Sequence, residues 1–237
     1  MYKNKKILSV IIAREKSKGL KNKNILKLGN KPLVQWTIEA SKKSKFIDYT
    51  LVSSDSKKII KLSKKLRVNA PFKRPKKLCL DNSKANDVLK HAVRWLKVNK
   101  KMIFDYIILL QPTSPLRKSM HIDDAFNYYF SKKKSYKETL VSVIQLSNKM
   151  GWIMEKNNQN YISFAIDEVK KKINQRRQNL KSYFLPNGAI YIKSIKNLKS
   201  EFYSKKTLHF IMNEKHSIDI DNKKDFKIAS NLINTKK

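Results

Sequence analysis

The chain has 237 residues, of which 54 are Lys or Arg and 18 are Asp or Glu, so its formal net charge is +36. Its hydrophobic content of 41% excludes a disordered chain, and its single cysteine, Cys79, excludes an internal disulfide and a cysteine metal cluster. No apolar run approaches the ~20 residues that span a bilayer, and the N-terminus lacks a secretory pattern. We therefore expect a cytoplasmic protein with no membrane partner.

The positive charge raises the alternative of a basic nucleic-acid-binding protein. However, the excess is almost all Lys, with only seven Arg, and the lysines are spread from end to end. Proteins that read nucleic acid usually combine Arg with exposed aromatic residues. We therefore expect no specific nucleic-acid partner, although a cationic field would attract a nucleoside triphosphate and an acidic sugar.

The first element is an apolar run over residues 7–13, which predicts a buried strand of a parallel sheet. It continues directly into a polar segment that contains Arg14, Lys18 and Lys23. Ligands of open α/β sheets bind outside the carboxyl ends of the strands. Three cations at such an end indicate a polyphosphate site, although a lysine-rich surface loop is the alternative.

Along the rest of the chain, β-branched runs alternate with segments of helical periodicity. The pattern predicts a single α/β domain over residues 1–237, with three layers and a mainly parallel sheet. Segment 146–184 differs, because its short apolar runs are separated by Asn-rich turns, which predicts an inserted β-rich arm. The further predicted strands are 49–53, 106–110, 139–145, 189–192, 208–212 and 217–221, and the predicted helices are 33–40, 57–66, 85–98, 119–130 and 225–233.

Asp219 and Asp221 are two residues apart, so a strand would place both carboxylates on one face and Ile218 and Ile220 on the other. Two hard oxygen ligands are what Mg²⁺ needs from a protein when phosphate oxygens and water complete its shell. A solvated strand edge is the alternative. The chain has neither a P-loop motif nor a dinucleotide-binding glycine motif, so triphosphate binding would depend on cationic side chains.

Five ordered blocks of the sequence resemble the acylneuraminate cytidylyltransferases, the CMP-sialic acid synthetases. The resemblance spans almost the whole chain, and the five blocks together are far more specific than any one of them. The matching blocks are 13–24, 28–38, 111–117 (Gln-Pro-Thr-Ser-Pro-Leu-Arg), 187–192 (Asn-Gly-Ala-Ile-Tyr-Ile) and 218–221 (Ile-Asp-Ile-Asp).

The resemblance implies a nucleotidyl transfer with a nucleotide-diphospho-sugar-transferase-like fold. In it, the anomeric hydroxyl of a nonulosonic acid attacks the α-phosphate of CTP and pyrophosphate leaves. It implies catalytic roles for Arg14, Lys18, Lys23 and Asp221, and Mg²⁺, with Mn²⁺ as an alternative ion, held by Asp219 and Asp221. It also implies a triphosphate site at Arg14, Ser17, Lys18 and Lys23, and cytidine contacts at Asn24 and Arg74.

The acidic-sugar side is implied at Gln111, Thr113, Ser114 and Arg117. The arm corresponds to the family's dimerisation element, which implies a homodimer and a further sugar contact from Arg177 and Gln178. A peripheral arm without a catalytic part is the alternative.

Three departures from the family pattern concern the nucleotide or the sugar. Ala85 stands where the family usually has a small hydroxyl residue, and Leu185 where sialic acid enzymes often have Arg. The segment 149–152 also lacks a frequent His-x-Pro pattern. The resemblance implies N-acetylneuraminate as the acceptor, and the departures on the sugar side leave legionaminic, pseudaminic and 3-deoxy-manno-octulosonic acid as alternatives.

Overall fold

A computed structural model describes residues 4–166 and 181–234. Its centre is a six-stranded sheet in the order β10-β6-β9-β5-β1-β4, in which only β9 runs antiparallel to its neighbours. A mainly parallel sheet is therefore confirmed. The six strands are β1 (Ile7–Ile12), β4 (Tyr49–Ser53), β5 (Tyr106–Leu110), β6 (Thr139–Gln145), β9 (Phe184–Ser194) and β10 (Thr207–Ile211).

Helices cover both faces of the sheet, which gives three layers. The helices are α1 (Leu33–Lys43), α2 (Lys57–Lys65), α3 (Ala85–Lys100), α4 (Ser119–Lys132) and α5 (Lys223–Asn234). Apolar residues of α1, α2 and α4 pack on one face with Ile7 and Ile11 of β1, whereas α3 packs on the other with Leu8 and Val10. Strand β1 is thus buried on both sides, which explains its continuous apolar sequence.

Four short strands complete the described β-structure. β2 (Lys27–Leu28) pairs with β3 (Lys31–Pro32), and β7 (Met154–Lys156) pairs with β8 (Ile162–Phe164) in a two-stranded sheet apart from the central one. The β7–β8 hairpin lies within the predicted arm, and the dimerisation role of that arm stays a prediction. Within residues 4–166 and 181–234, no helix has the length and apolar character that crossing a membrane requires.

One predicted strand is wrong. Residues 217–221 form no strand. The main-chain N–H of Ile220 donates to the carbonyl of Thr113 at 2.8 Å. Among the described residues, this bond is not part of a pairing between two strands. The expected alternation of faces is nevertheless present, because Ile218 and Ile220 pack in an apolar cluster with Leu28 and Leu33.

Candidate active site

A cavity of about 470 Å³ opens at the carboxyl ends of β1 and β5, where a parallel sheet normally binds its ligands. Most of the residues predicted for the nucleotide lie in its wall. The structure brings together Arg14, Ser17, Lys18, Lys23, Asn24, Arg74, Gln111, Thr113 and Asp221. Ala85, the departure from the family pattern on the nucleotide side, also lines this cavity.

The loop after β1 presents its cations to a carboxylate across the cavity. Arg14 Nη1 donates to Asp81 Oδ1 at 2.6 Å, and Lys18 Nζ lies 3.3 Å from Asp81 Oδ2. The hydrogen bond from Arg14 lowers the pKa of Asp81 below its usual value. Arg14 and Lys18 are thus already arranged around an anionic group, as a phosphate would require.

Lys23 connects the same loop to the C-terminal part of the chain. Its side chain is only 11% exposed, and Nζ donates to the carbonyl of Ile220 and to Asp221 Oδ1, the latter at 3.0 Å. Gly19 makes a second close approach, since a Cβ there would lie 2.2 Å from the carbonyl oxygen of Asp221. The cationic loop and the aspartate segment are therefore packed directly against each other.

Asp219 is a half-buried residue whose carboxylate has one buried, unsatisfied oxygen. Within the described part of the chain, its Oδ1 is buried and has no hydrogen-bond partner. Burial raises the pKa of Asp219, a hydrogen bond with Thr113 opposes this, and the charge of Asp221 adds to the increase. Gly188, at φ 70°, leaves room for this carboxylate, because a Cβ there would lie 2.7 Å from Asp219 Oδ2.

These features fit a divalent cation held by Asp219 and Asp221. A cation would satisfy the buried Oδ1 and offset the cost of the buried negative charge. No cluster of three or more His, Cys, Asp or Glu is present in segments 4–166 and 181–234 that could hold a metal ion by itself. The pair therefore suits an ion that takes its remaining ligands from phosphate and water.

Arg74 is the most deeply buried cation of the cavity wall, with a side chain 1% exposed. Its Nε and Nη2 have no hydrogen-bond acceptor among the described residues. Asn24 is also buried, and its Nδ2 donates to the carbonyl of Arg14 at 2.8 Å. Within the described part of the chain, Arg74 thus keeps two buried donors without a hydrogen-bond acceptor, whereas Asn24 fixes the start of the cationic loop.

The side chains of the loop after β5 point in two directions, some into the cavity and others into the protein interior. Gln111 and Thr113 line the cavity, but Ser114 is fully buried and donates to the carbonyl of Asn187 at 3.2 Å. Arg117 is 2% exposed and donates to the carbonyls of Gln111 and Ala189 and to the hydroxyl of Thr37. Burial lowers the pKa of Arg117 to about 9.

Ser114 and Arg117 therefore stabilise the loop through hydrogen bonds on its buried side. They do not line the described cavity, where the predicted sugar contacts would place them. The stretch 111–117 combines two prolines with hydroxyl and cationic side chains, and its sequence does not indicate which of these side chains face the cavity and which face the interior. Arg177 and Gln178 lie outside the described residues, so their predicted sugar contacts stay predictions.

A family model for cytidylyltransferases matches residues 8–207. The chain belongs to the cytidylyltransferase family. Members of this family generally use a divalent metal ion, in agreement with the carboxylate pair.

Three curated relatives match most of this chain. N-acylneuraminate cytidylyltransferase of Escherichia coli is 33% identical over 228 residues, which cover 94% of this chain and 51% of the relative. CMP-N,N'-diacetyllegionaminic acid synthase of Legionella pneumophila is 33% identical over 236 residues, or 96% of both chains. Pseudaminic acid cytidylyltransferase of Campylobacter jejuni is 28% identical, again over 96% of both chains. The chain thus spans about half the length of the curated N-acylneuraminate cytidylyltransferases that it matches.

Two solved structures share the fold. A CMP:2-keto-3-deoxy-manno-octonic acid synthetase complexed with CTP superposes with a TM-score of 0.70 at 15% identity, covering 98% of this chain and all of that one. A 4-diphosphocytidyl-2C-methyl-D-erythritol synthase from Anaerococcus prevotii gives 0.61 at 11% identity, covering 97% and 99%. The predicted nucleotidyltransferase-like α/β fold is therefore confirmed.

Two acidic residues of the site were not predicted from the sequence. Asp81 contacts Arg14 from 67 residues away, and Asp55 contacts the main chain of Glu15 from 40 residues away. Neither belongs to a spaced pair or motif, so local patterns do not single them out. Asp55 follows strand β4, and its position at a strand end was the available signal.

Proposed function

We propose that this protein is a CTP-dependent cytidylyltransferase that transfers CMP to the anomeric hydroxyl of a nonulosonic acid. The observation that carries the proposal is the contact of Lys23 with Asp221, which holds the cationic loop against the aspartate segment at the wall of one cavity. The cations that would bind phosphate therefore lie beside the carboxylates that would bind a metal ion. A nucleoside triphosphate with its cation requires both kinds of group at the same site. The family membership and the names of the relatives agree with this reaction.

In the proposed complex, the triphosphate replaces Asp81 as the partner of Arg14 and Lys18. The acceptor oxygen forms a bond to the α-phosphorus, and the bond from that phosphorus to the bridging oxygen breaks and releases pyrophosphate. Lys18 and Lys23 offset the charge that develops on pyrophosphate. Ser17 completes the triphosphate site, and one carboxylate of the aspartate pair takes the hydroxyl proton.

Asp219 and Asp221 would hold Mg²⁺, or Mn²⁺ as the alternative ion, which supplies Lewis-acid stabilisation of phosphate charge. Two observations support this assignment: the unsatisfied buried Oδ1 of Asp219, and the space that Gly188 leaves beside the carboxylate. Asp221 is exposed and lies next to Lys23. In the proposed complex, its carboxylate faces the phosphates that Lys23 binds.

Arg74 gives a physical reason for cytosine as the base. Its unsatisfied groups are all donors, and a guanidinium accepts no hydrogen bond. Cytosine offers two adjacent acceptors, O2 and N3, whereas uracil carries a hydrogen on N3. We therefore propose that the site prefers CTP to UTP, with Asn24, which also lines the cavity, as a second cytidine contact.

The acceptor is proposed to be N-acetylneuraminate or a close nonulosonic analogue, bound on the side of Gln111 and Thr113. Legionaminic acid is the second candidate, because the legionaminic acid synthase matches this chain over 96% of both lengths. Leu185, 51% exposed, stands where sialic acid enzymes often have Arg, which favours an altered sugar contact.

We propose a homodimer in which the arm reaches the partner's site.

The test is pyrophosphate release from CTP with Mg²⁺ and a panel of N-acetylneuraminic, legionaminic, pseudaminic and 3-deoxy-manno-octulosonic acids. The proposal predicts acid-dependent release that is fastest with one nine-carbon acid. Fastest release with the eight-carbon acid would assign a different acceptor, and no release with any acid would contradict the proposed reaction.

A further inference from the structure

We infer that Asp55 is a positioning residue that sets the base selectivity of the site through Arg74 and joins base recognition to the triphosphate loop. This inference rests on the proposed function, because it assigns a role within the proposed CTP site. Asp55 follows strand β4 and is not among the residues that line the cavity, so it acts through its neighbours.

The first contact of Asp55 is with the triphosphate loop. Its Oδ1 accepts the main-chain N–H of Glu15 at 2.8 Å, one residue after Arg14. The hydroxyl of the neighbouring Ser56 donates to Glu15 Oε1 at 3.0 Å. The turn after β4 therefore forms hydrogen bonds with both the backbone and the side chain of Glu15. These contacts fix the point at which the chain leaves β1 and enters the cationic loop.

The second contact is with Arg74. The same atom, Asp55 Oδ1, lies 3.6 Å from Arg74 Nη2, which is an ion pair with a guanidinium that is almost fully buried. The main-chain N–H of Arg74 also donates to the carbonyl of Ser54 at 2.8 Å. One short turn therefore holds Arg74 through its backbone and through its charge.

The charge of Asp55 matters because Arg74 lies in a place that is unfavourable for a cation. Burial lowers the pKa of the neighbouring His91, and the charges of Arg74 and Lys77 add to this decrease. A buried cation that loses its carboxylate partner is strongly destabilised where it is. Without the charge of Asp55, the guanidinium would leave the cavity wall for water, and Arg74 would be lost as a contact for the base in the proposed complex.

Two variants separate the two contacts. In Asp55→Asn the amide oxygen still accepts the N–H of Glu15, but the charge opposite Arg74 is lost. In Asp55→Ala both contacts are lost. We expect the preference for CTP over UTP to fall about tenfold in both variants, because both lose the ion pair. We expect affinity for inorganic tripolyphosphate, which has no base, to fall clearly only in Asp55→Ala.

Asp48→Asn is the matched control, because Asp48 likewise accepts a main-chain N–H, that of Ile7 at 2.8 Å, beside the start of β1. It should leave the CTP-to-UTP ratio unchanged even if thermal stability decreases. Calorimetric titration of wild type and variants with CTP, UTP and tripolyphosphate supplies all readouts, and a thermal melt confirms folding.

The outcomes distinguish the inference from the proposed function. If the wild-type protein binds CTP no better than UTP, both are contradicted. If the wild-type protein discriminates and Asp55→Asn keeps the same ratio, the role of Asp55 is overturned while the proposed function stands. If Asp55→Ala fails to fold, the ratio in Asp55→Asn alone decides, since that variant preserves shape and the Glu15 contact.

Discussion

Lys23 Nζ lies 3.0 Å from Asp221 Oδ1, so an ion pair joins the loop after the first strand to a carboxylate 198 residues later. The side chain of Lys23 is nearly buried, whereas that of Asp221 is largely exposed. The buried cation thus fixes a carboxylate that a ligand can still reach. This relationship assembles the proposed site from the two ends of the domain.

Replacing Lys23 with Met should reduce kcat/KM for CTP about 100-fold or more, because the change removes a charge from the phosphates and releases Asp221. Pyrophosphate release measures the effect. Lys21→Met is the matched control, since Lys21 is an exposed lysine of the same loop and does not line the cavity. Equal losses in both variants would mean that general charge, rather than the Lys23 contact, supports activity.

Gly19→Ala tests the close packing of the loop on the aspartate segment. The new methyl group would lie 2.2 Å from the carbonyl oxygen of Asp221, so the two segments must separate. We expect CTP affinity to fall about tenfold while the melting temperature changes by only a few degrees, because the loop is at the surface. Unchanged affinity in a binding titration would show that the loop does not need this packing.

Asp219→Asn should abolish turnover and stabilise the metal-free fold at neutral pH. Folding raises the pKa of Asp219, so the folded state disfavours its carboxylate, and this penalty is fully present above the folded-state pKa. The amide removes the penalty, and we expect a melting temperature roughly 2 °C higher at pH 7. The difference should disappear as the pH falls below the ordinary pKa of Asp.

The same variant has a metal-dependent readout. Mg²⁺ should raise the melting temperature of the wild-type protein and leave that of Asp219→Asn unchanged, because binding to the folded state stabilises it. A wild-type protein that is insensitive to Mg²⁺ and to Mn²⁺, or an Asn variant that responds equally, would contradict the metal assignment.

Arg117→Met should destabilise the protein by roughly 3 kcal/mol, because two carbonyls and the hydroxyl of Thr37 lose their donor in a buried place. Chemical denaturation measures the loss. Exposed Lys118→Met, one residue further on, is the control. An Arg117 variant with normal stability but poor acceptor KM would instead support the sugar contact expected from the sequence.

The sequence predicts the central strands well because they are buried on both faces and therefore read as continuous apolar runs. Strands 49–53, 106–110 and 139–145 have the predicted bounds. The segment 217–221 has the same alternation as a strand, yet it does not join the sheet. The alternation of apolar and polar residues indicates which side chains are buried. Formation of a strand also requires backbone hydrogen bonds to a neighbouring strand, which depend on the tertiary structure.

The site is predictable where spacing carries the information. The sequence spacing of Lys18 and Lys23 from Arg14 and Asn24, together with the family blocks at 111–117, 187–192 and 218–221, distinguishes them from the other lysines, and both line the cavity. Asp55 and Asp81 are single acids whose partners are brought near only by the fold. The direction of Ser114 and Arg117 likewise depends on how the loop after β5 packs on β9.

The most direct test is transfer of label from CTP labelled at the α-phosphate to a nonulosonic acid, with wild-type protein and Asp221→Ala side by side. We predict labelled CMP-sugar with the wild-type protein and Mg²⁺, and none with the variant, although the variant keeps its fold by thermal melt. A wild-type protein that transfers no label to any acid of the panel, or an Asp221→Ala variant that transfers it at the wild-type rate, would contradict the account.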